Sequence, residues 1–154
     1  MRESIVIADA SVLIALTNVS HLEILPQLYG SVVITPEVES EYGLPLPEWM
    51  VVQRLEKEDT LSRFLQKLDL GEASAVALAL EIGSNPLLAI DERRGRAVAK
   101  EINLRITGTL GIIVKAHQEG ILSEAIQAVR DLERGGFRMS TSLKNQVIAL
   151  LKST

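Results

Sequence analysis

Two aspartates stand at the ends of apolar runs. Ile5-Val6-Ile7-Ala8 stops on Asp9, and Leu87-Leu88-Ala89-Ile90 stops on Asp91. Runs that are apolar at every position suit strands covered on both faces of a parallel sheet, and open α/β sheets take their ligands at the C-terminal strand ends. If the two strands are neighbours, their carboxylates lie roughly 5 Å apart, one strand spacing, and repel unless a cation or proton intervenes. Each aspartate alone is equally a good N-cap for the helix that follows. A third acid, Glu72, opens the stretch 71–82, which is apolar nearly all the way round and so belongs in the interior. A carboxylate carried inside needs a partner, although Asp69-Leu70-Gly71-Glu72 also has capping-box spacing, with Asp69 as the cap. The helix after Pro36 offers Glu37, Glu39 and Glu41. Acids so placed usually form a solvated face, and with Val38 and Tyr42 on the buried side, Glu39 and Glu41 flank it equally at 100° per residue.

Clustered oxygen ligands of this kind suit Mg²⁺ or Mn²⁺, which would also let several carboxylates stay ionised together. A bound ion of that class activates and orients water and stabilises charge on a phosphate, so no histidine base is needed. The histidines agree: His21 is remote in sequence from the acidic motifs, and His117 shares an apolar stripe with Leu110, Ile113 and Val114. Both read as structural. Arg93 and Arg94 stand in a helix first turn, where the dipole disfavours cations. They form either a solvated charged face or a pair of phosphate-binding guanidinium groups, whereas Arg96 is spaced to pair with Glu92.

The elements that would position these groups alternate. Strands are expected over 5–8, 32–34, 50–53, 87–91 and 104–106, the third at a sheet edge. Helices are expected over 11–16, 21–29, 36–42, 58–68, 71–82, 92–103, 109–118, 123–134 and 142–151. Thr35-Pro36 is a helix start, a hydroxyl cap followed by proline at the first helical position, and Leu61, Phe64, Leu65 and Leu68 make the apolar stripe of the helix over 58–68. Alternation of this kind implies an α/β fold with a mainly parallel sheet and helices on both faces.

Length and composition set the limits. The chain has 154 residues, 47% of them hydrophobic, enough for one domain over 1–154 with a substantial core. Sixteen Lys and Arg against 20 Asp and Glu, a net charge of −4, argue against a generic nucleic-acid binder but leave room for a local basic patch. With no cysteine, disulfides and thiolate metal sites are excluded. Met1-Arg2 followed by an apolar run superficially resembles a signal peptide, but Asp9 interrupts the run and no small-residue cleavage site follows. No uncharged stretch reaches the length of a membrane span, and a cytoplasmic protein is expected.

Asp9 in Ile-Ala-Asp-Ala-Ser, Val38-x-x-Glu41, Gly71-Glu72-Ala73 before an alanine-rich helix, Asp91-Glu92-Arg93-Arg94-Gly95-Arg96 and Gly108-Thr109-Leu110-Gly111 together resemble a PIN domain. More narrowly they resemble the VapC-like branch whose third acid lies in a Gly-Glu-Ala motif. The resemblance runs from Ile5 to about Ile121, with the acidic-site motifs within 5–111 and C-terminal helices over 121–154. It implies a three-layer α/β/α fold and a metal-dependent endoribonuclease that leaves a 5′-phosphate and a 3′-hydroxyl, often the toxin of a toxin–antitoxin pair. It carries the acidic cluster onto Asp9, Glu41, Glu72 and Asp91 as catalytic metal ligands, which selects Glu41 over Glu39. Arg93, Arg94 and Thr109 are the expected substrate-binding residues. Thr109 stands in for a hydroxyl that many relatives carry where this chain has Ala89, and its plainer reading is a helix cap. The expected partners are an RNA substrate, a small antitoxin and a second copy of the chain, with no membrane. The alternative is a catalytically silent PIN module that binds RNA or protein; the presence of all four acids favours the enzyme. A phosphatase with an Asp-x-Asp nucleophile is disfavoured by Ser11.

Overall fold

Five short segments, β1 (Val6–Ala8), β2 (Val32–Ile34), β3 (Met50–Val52), β4 (Leu87–Ala89) and β5 (Arg105–Thr107), pair in parallel in the order β3-β2-β1-β4-β5, the first four of them wholly apolar. The computed structural model describes residues 5–153, so the Met1-Arg2 start and Thr154 lie outside the described residues. Between and after the strands run α1 (Ala10–Asn18), α2 (Ile24–Tyr29), α3 (Pro36–Tyr42), α4 (Glu58–Phe64), α5 (Leu70–Ile82), α6 (Arg93–Glu101), α7 (Thr109–Gln118), α8 (Ala125–Arg134) and α9 (Thr141–Lys152). The chain steps from β1 through β2 to β3 on one side, then returns past β1 to β4 and β5. Right-handed crossovers therefore put α1 and α2, which join β1 to β2, on one face and α4, α5 and α6, which lead to β4 and β5, on the other. α1 and α2 meet α7 on one face, while α5 lies on β1 and β4 with α4 and α6 beside it. The result is the expected three-layer α/β/α architecture around a parallel sheet.

α5 is the packing centre of its layer. Gly71 to Ala79 are all buried, and Ala73, Ala75, Ala77 and Ala79, small residues on both sides of the helix, let strands and neighbouring helices pack close to it. Its own Leu78 is fully buried, as are Ile7, Ile34, Leu88 and Ile90 of the strands and their ends. Helix α3 begins as the sequence requires, Thr35 Oγ1 accepting from Val38 N at 3.0 Å with Pro36 at the first position. No helix among the described residues is long and apolar enough to cross a membrane.

Several boundaries move for local reasons. Helix α2 starts at Ile24 instead of His21, because Ser20 takes a left-handed conformation at φ 64° and the next residues turn before the helix can begin. Helix α4 ends at Phe64. Beyond it the chain tightens, Lys67 N donating to Phe64 O, which keeps Leu68 inside but turns Leu65 out to 43% exposure and off the expected stripe. The last strand slides by one residue to Arg105–Thr107, since Leu104 N closes the end of α6 on Ala99 O. On α7 the buried apolar set is Leu110, Ile112, Ile113 and Ala116, so Val114 and His117 lie at the margin of the stripe.

Candidate active site

Asp9 leaves the sheet where the strand order reverses. β2 and β3 lie to one side of β1, β4 and β5 to the other, and the crevice beyond the C-terminal ends of β1 and β4 is the usual ligand position in such sheets. Asp9 N donates to Ala89 O at 2.9 Å, extending the β1–β4 ladder, and the residue is 1% exposed. It occupies the N-cap position of α1 but makes no capping hydrogen bond. Oδ2 accepts from Ser11 Oγ at 2.9 Å, whereas Oδ1 is buried without a hydrogen-bond partner. Burial raises the pKa of Asp9 against the opposing Ser11 hydrogen bond, and the charge of Asp69 adds to the rise.

The first turn of α5 supplies Glu72. Both halves of the capping box form: Asp69 Oδ1 accepts from Glu72 N at 2.9 Å, and Glu72 Oε1 accepts from Asp69 N at 3.4 Å. The second bond is long and engages one oxygen, so capping leaves the other Glu72 oxygen uncommitted. Glu72 is buried, and its pKa is pushed up to about 7 by burial first, then by the negative charges of Asp69 and Asp9. Asp69 is thus a member of the acidic cluster as well as a cap, which its spacing alone had not suggested.

Glu41 arrives from the end of α3, whose start is tied to α5 by two buried hydroxyls. Ser74 Oγ donates to Gly71 O at 2.8 Å and lies 2.7 Å from Thr35 Oγ1, so the proton between the hydroxyls comes from Thr35. The Glu41 carboxylate then lies against the bare backbone of Gly71: a Cβ there would fall 2.6 Å from Glu41 Oε1. Desolvation raises the Glu41 pKa, and the charges of Asp9 and Asp69 add to it. Of the three α3 acids only Glu41 lines the groove that holds Asp9 and Glu72.

Asp91 is placed differently from the expectation of two aspartates side by side. Ala8 pairs with Ala89, so Ile90 is level with Asp9 and Asp91 lies one residue beyond. It turns toward the β5–α7 junction, where Oδ1 accepts from Thr109 N at 2.8 Å and Oδ2 from Thr109 Oγ1 at 2.6 Å. Gly108 makes the approach possible, since a Cβ there would be 2.7 Å from Asp91 Oδ1 and 2.8 Å from Arg96 Nη1. Asp91 is not a helix cap either; Glu92 holds that position for α6. Thr109, expected to touch substrate, is fully buried and grips Asp91 instead, and the N-cap of α7 is Gly108. Arg96 donates to Ile90 O at 2.9 Å and forms no ion pair with Glu92 among the described residues.

Asp9, Glu41, Asp69, Glu72 and Asp91 line one open groove of about 1110 Å³ with Arg93, Arg96 and Arg138. Arg94, expected beside Arg93 on phosphate, does not line it; its Nη1 donates to Lys67 O at 3.3 Å. Adjacent residues on a helix point about 100° apart, and only one of the two arginines faces the acids. The opposite wall, Phe137 to Ser140, comes from the α8–α9 connection, where no motif or spacing pointed to a site.

A family model described as PIN domain matches residues 5–153. The chain belongs to the PIN-domain family. No match was found among curated proteins or among solved structures. The PIN fold is a nuclease fold that typically works with divalent metal ions, and this chain can be tested for that chemistry on its own geometry. Among the described residues no three acidic or histidine side chains close tightly enough to enclose an ion. The donor set still fits a hydrated one. Asp9 Oδ1 is a buried carboxylate oxygen without a hydrogen-bond partner, the charges of Asp9 and Asp69 raise the pKa of Glu41 and Glu72, and Mg²⁺ commonly takes one or two carboxylates directly while keeping several waters.

Proposed function

We propose that this PIN-domain protein is a divalent-metal-dependent endoribonuclease and the toxin of a toxin–antitoxin pair, acting in the cytoplasm on RNA. The observation that carries the nuclease reading is the unpartnered, buried Asp9 Oδ1 at the switch point of the sheet, facing the groove that Glu41, Glu72 and Asp91 also line. In this reading Asp9, Glu41, Glu72 and Asp91 hold Mg²⁺ or Mn²⁺, which when bound would supply an activated water and charge stabilisation at the phosphate. Thr109 fixes the Asp91 carboxylate through both oxygens, and Arg93 offers its guanidinium to a phosphate oxygen. Water adds to phosphorus and the P–O3′ bond breaks, leaving a 3′-hydroxyl and a 5′-phosphate. The toxin role rests on the likeness of the acidic motifs to the VapC-like branch, and its partner would be a small antitoxin protein.

A second reading, a PIN module that binds RNA without cutting it, draws support from the lack of any three converging carboxylates among the described residues. One assay separates the two. Wild-type protein should cleave RNA with Mn²⁺ and not with EDTA, and Asp9→Asn should lower the rate at least a hundredfold while circular dichroism shows an unchanged fold. Cleavage that continues in EDTA, or survives the substitution, would rule out the metal mechanism. Intact RNA in every lane would leave the binding module.

A further inference from the structure

A second cleft opens off the acidic groove. It has a volume of about 800 Å³, lies between the β5–α7 junction and α9, and shares Asp91, Arg96, Phe137, Arg138 and Leu143 with the groove. The two differ in charge. In the groove six acids face three arginines, whereas in the cleft Asp91 and Glu119 face Arg96, Lys115 and Arg138. The cleft therefore adjoins the acids but carries one more cation than acid, and its volume falls in the range of sites that hold molecules of about nucleotide size.

The α8–α9 connection, which borders both depressions, is held in position. Gly135 ends α8, Gly136 turns the chain at φ 100°, and Phe137 N donates to Leu132 O at 2.9 Å. A left-handed turn of this kind is open to glycine at little cost, and it delivers Phe137 and Arg138 to the boundary of both depressions. Phe137 is half-buried and presents the only phenyl ring of either lining. Arg138 is exposed and makes no ion pair or hydrogen bond among the described residues. Arg96, by contrast, is spent on Ile90 O, and Lys115 lies over the Tyr29 ring. Single-stranded RNA is held by this combination, an aromatic face for a base and a guanidinium for the backbone.

We propose that the cleft seats a nucleotide flanking the scissile bond, with Phe137 stacking on its base and Arg138 binding its phosphate. The proposal rests on the ribonuclease reading and adds residues from the α8–α9 connection that the acidic motifs do not include. It makes Phe137 a determinant of which RNA is bound and leaves the chemistry to the acids across the groove.

The test measures binding of a fluorescein-labelled single-stranded RNA of twelve nucleotides by anisotropy, with Ca²⁺ in place of Mn²⁺, over a range of salt. Arg138→Ala should weaken binding and reduce the slope of log K against log salt by about 0.7, one phosphate contact on a single strand. Phe137→Leu, which keeps an apolar side chain, should weaken binding roughly five- to a hundredfold with an unchanged slope, and Phe137→Trp should restore it. Arg138→Ala lies on an exposed side chain and reports even if Phe137→Leu folds poorly. Wild-type protein that binds and cuts RNA, with both variants binding equally well, overturns this proposal alone and leaves the cleft to a protein partner. Wild-type protein that neither binds nor cuts RNA overturns the ribonuclease reading and this one together.

Discussion

At the scale of single residues, the acids fall into two kinds. Glu72 suffers from its surroundings, buried beside Asp69 and Asp9 with its pKa raised to about 7, while Asp91 is supported by two short hydrogen bonds from Thr109. Neutralising them should therefore act in opposite directions on the metal-free protein. Glu72→Gln removes a charge the site repels and should raise the melting temperature in EDTA. Asp91→Asn exchanges a charge-assisted acceptor for an amide and should lower it, on the scale of about 1 kcal/mol per weakened bond. Thr109→Val should cost a similar amount of stability and slow cleavage about tenfold by freeing Asp91 to turn. Differential scanning fluorimetry in EDTA gives the signs; equal shifts for Glu72→Gln and Asp91→Asn would show that both acids share one environment. Asp9, Glu72 and Asp91 were legible in the sequence because a strand or a buried helix that meets a carboxylate leaves it few places to go. Thr109 was legible as a residue but not in its role, because nothing in its spacing says that its hydroxyl meets a carboxylate from another strand.

At the scale of elements, the site depends on how α3 is held against α5. The bond between Thr35 and Ser74 fixes their starts, and Gly71 lets the Glu41 carboxylate lie on the α5 backbone. Gly71→Ala is the discriminating change. Alanine favours a helix more than glycine does, and the clash is with the far end of a flexible side chain, so the metal-free protein should melt no lower than wild type. Glu41 must move away, however, and the Mn²⁺ affinity read by isothermal titration calorimetry should fall several-fold. An unchanged affinity would remove Glu41 from the ion's surroundings. Most helices and all five strands could be read from periodicity and caps, and the misses fall where periodicity carries no information. Leu65 leaves the stripe because the helix tightens one turn early, and Arg94 turns from the groove because a first-turn arginine pair can face it with only one member. Phe137 and Arg138 reach the groove only through the packing of α7, α8 and α9.

At the scale of the whole molecule, the acid cluster ties stability to protons and to metal together. Asp9, Glu41 and Glu72 all have pKa values raised by folding, so between the ordinary carboxylate value of about 4.5 and the folded value of about 7 for Glu72 the native state binds more protons than the unfolded chain. The stability these three acids contribute then falls as pH rises through that window and levels off above it. For Glu72 the effect is roughly 1–3 kcal/mol once water at the mouth of the groove is allowed for. Most proteins gain stability from their paired carboxylates as pH rises, so a metal-free melting temperature several degrees higher at pH 5 than at pH 8 is a distinctive signature. Mn²⁺ should act against this trend. It competes with protons for the same oxygens, and at a hundred times its Kd it adds about 2.7 kcal/mol, or roughly 5–10 °C for a chain of this length. The gain should be present at pH 8 and nearly absent at pH 5, so that metal flattens the pH profile of the wild type. In Glu72→Gln the profile should already be flatter in EDTA. A metal-free melting temperature that rises from pH 5 to pH 8 would show that the acids are too well hydrated to repel one another, and the strain that makes this groove a cation site would be absent.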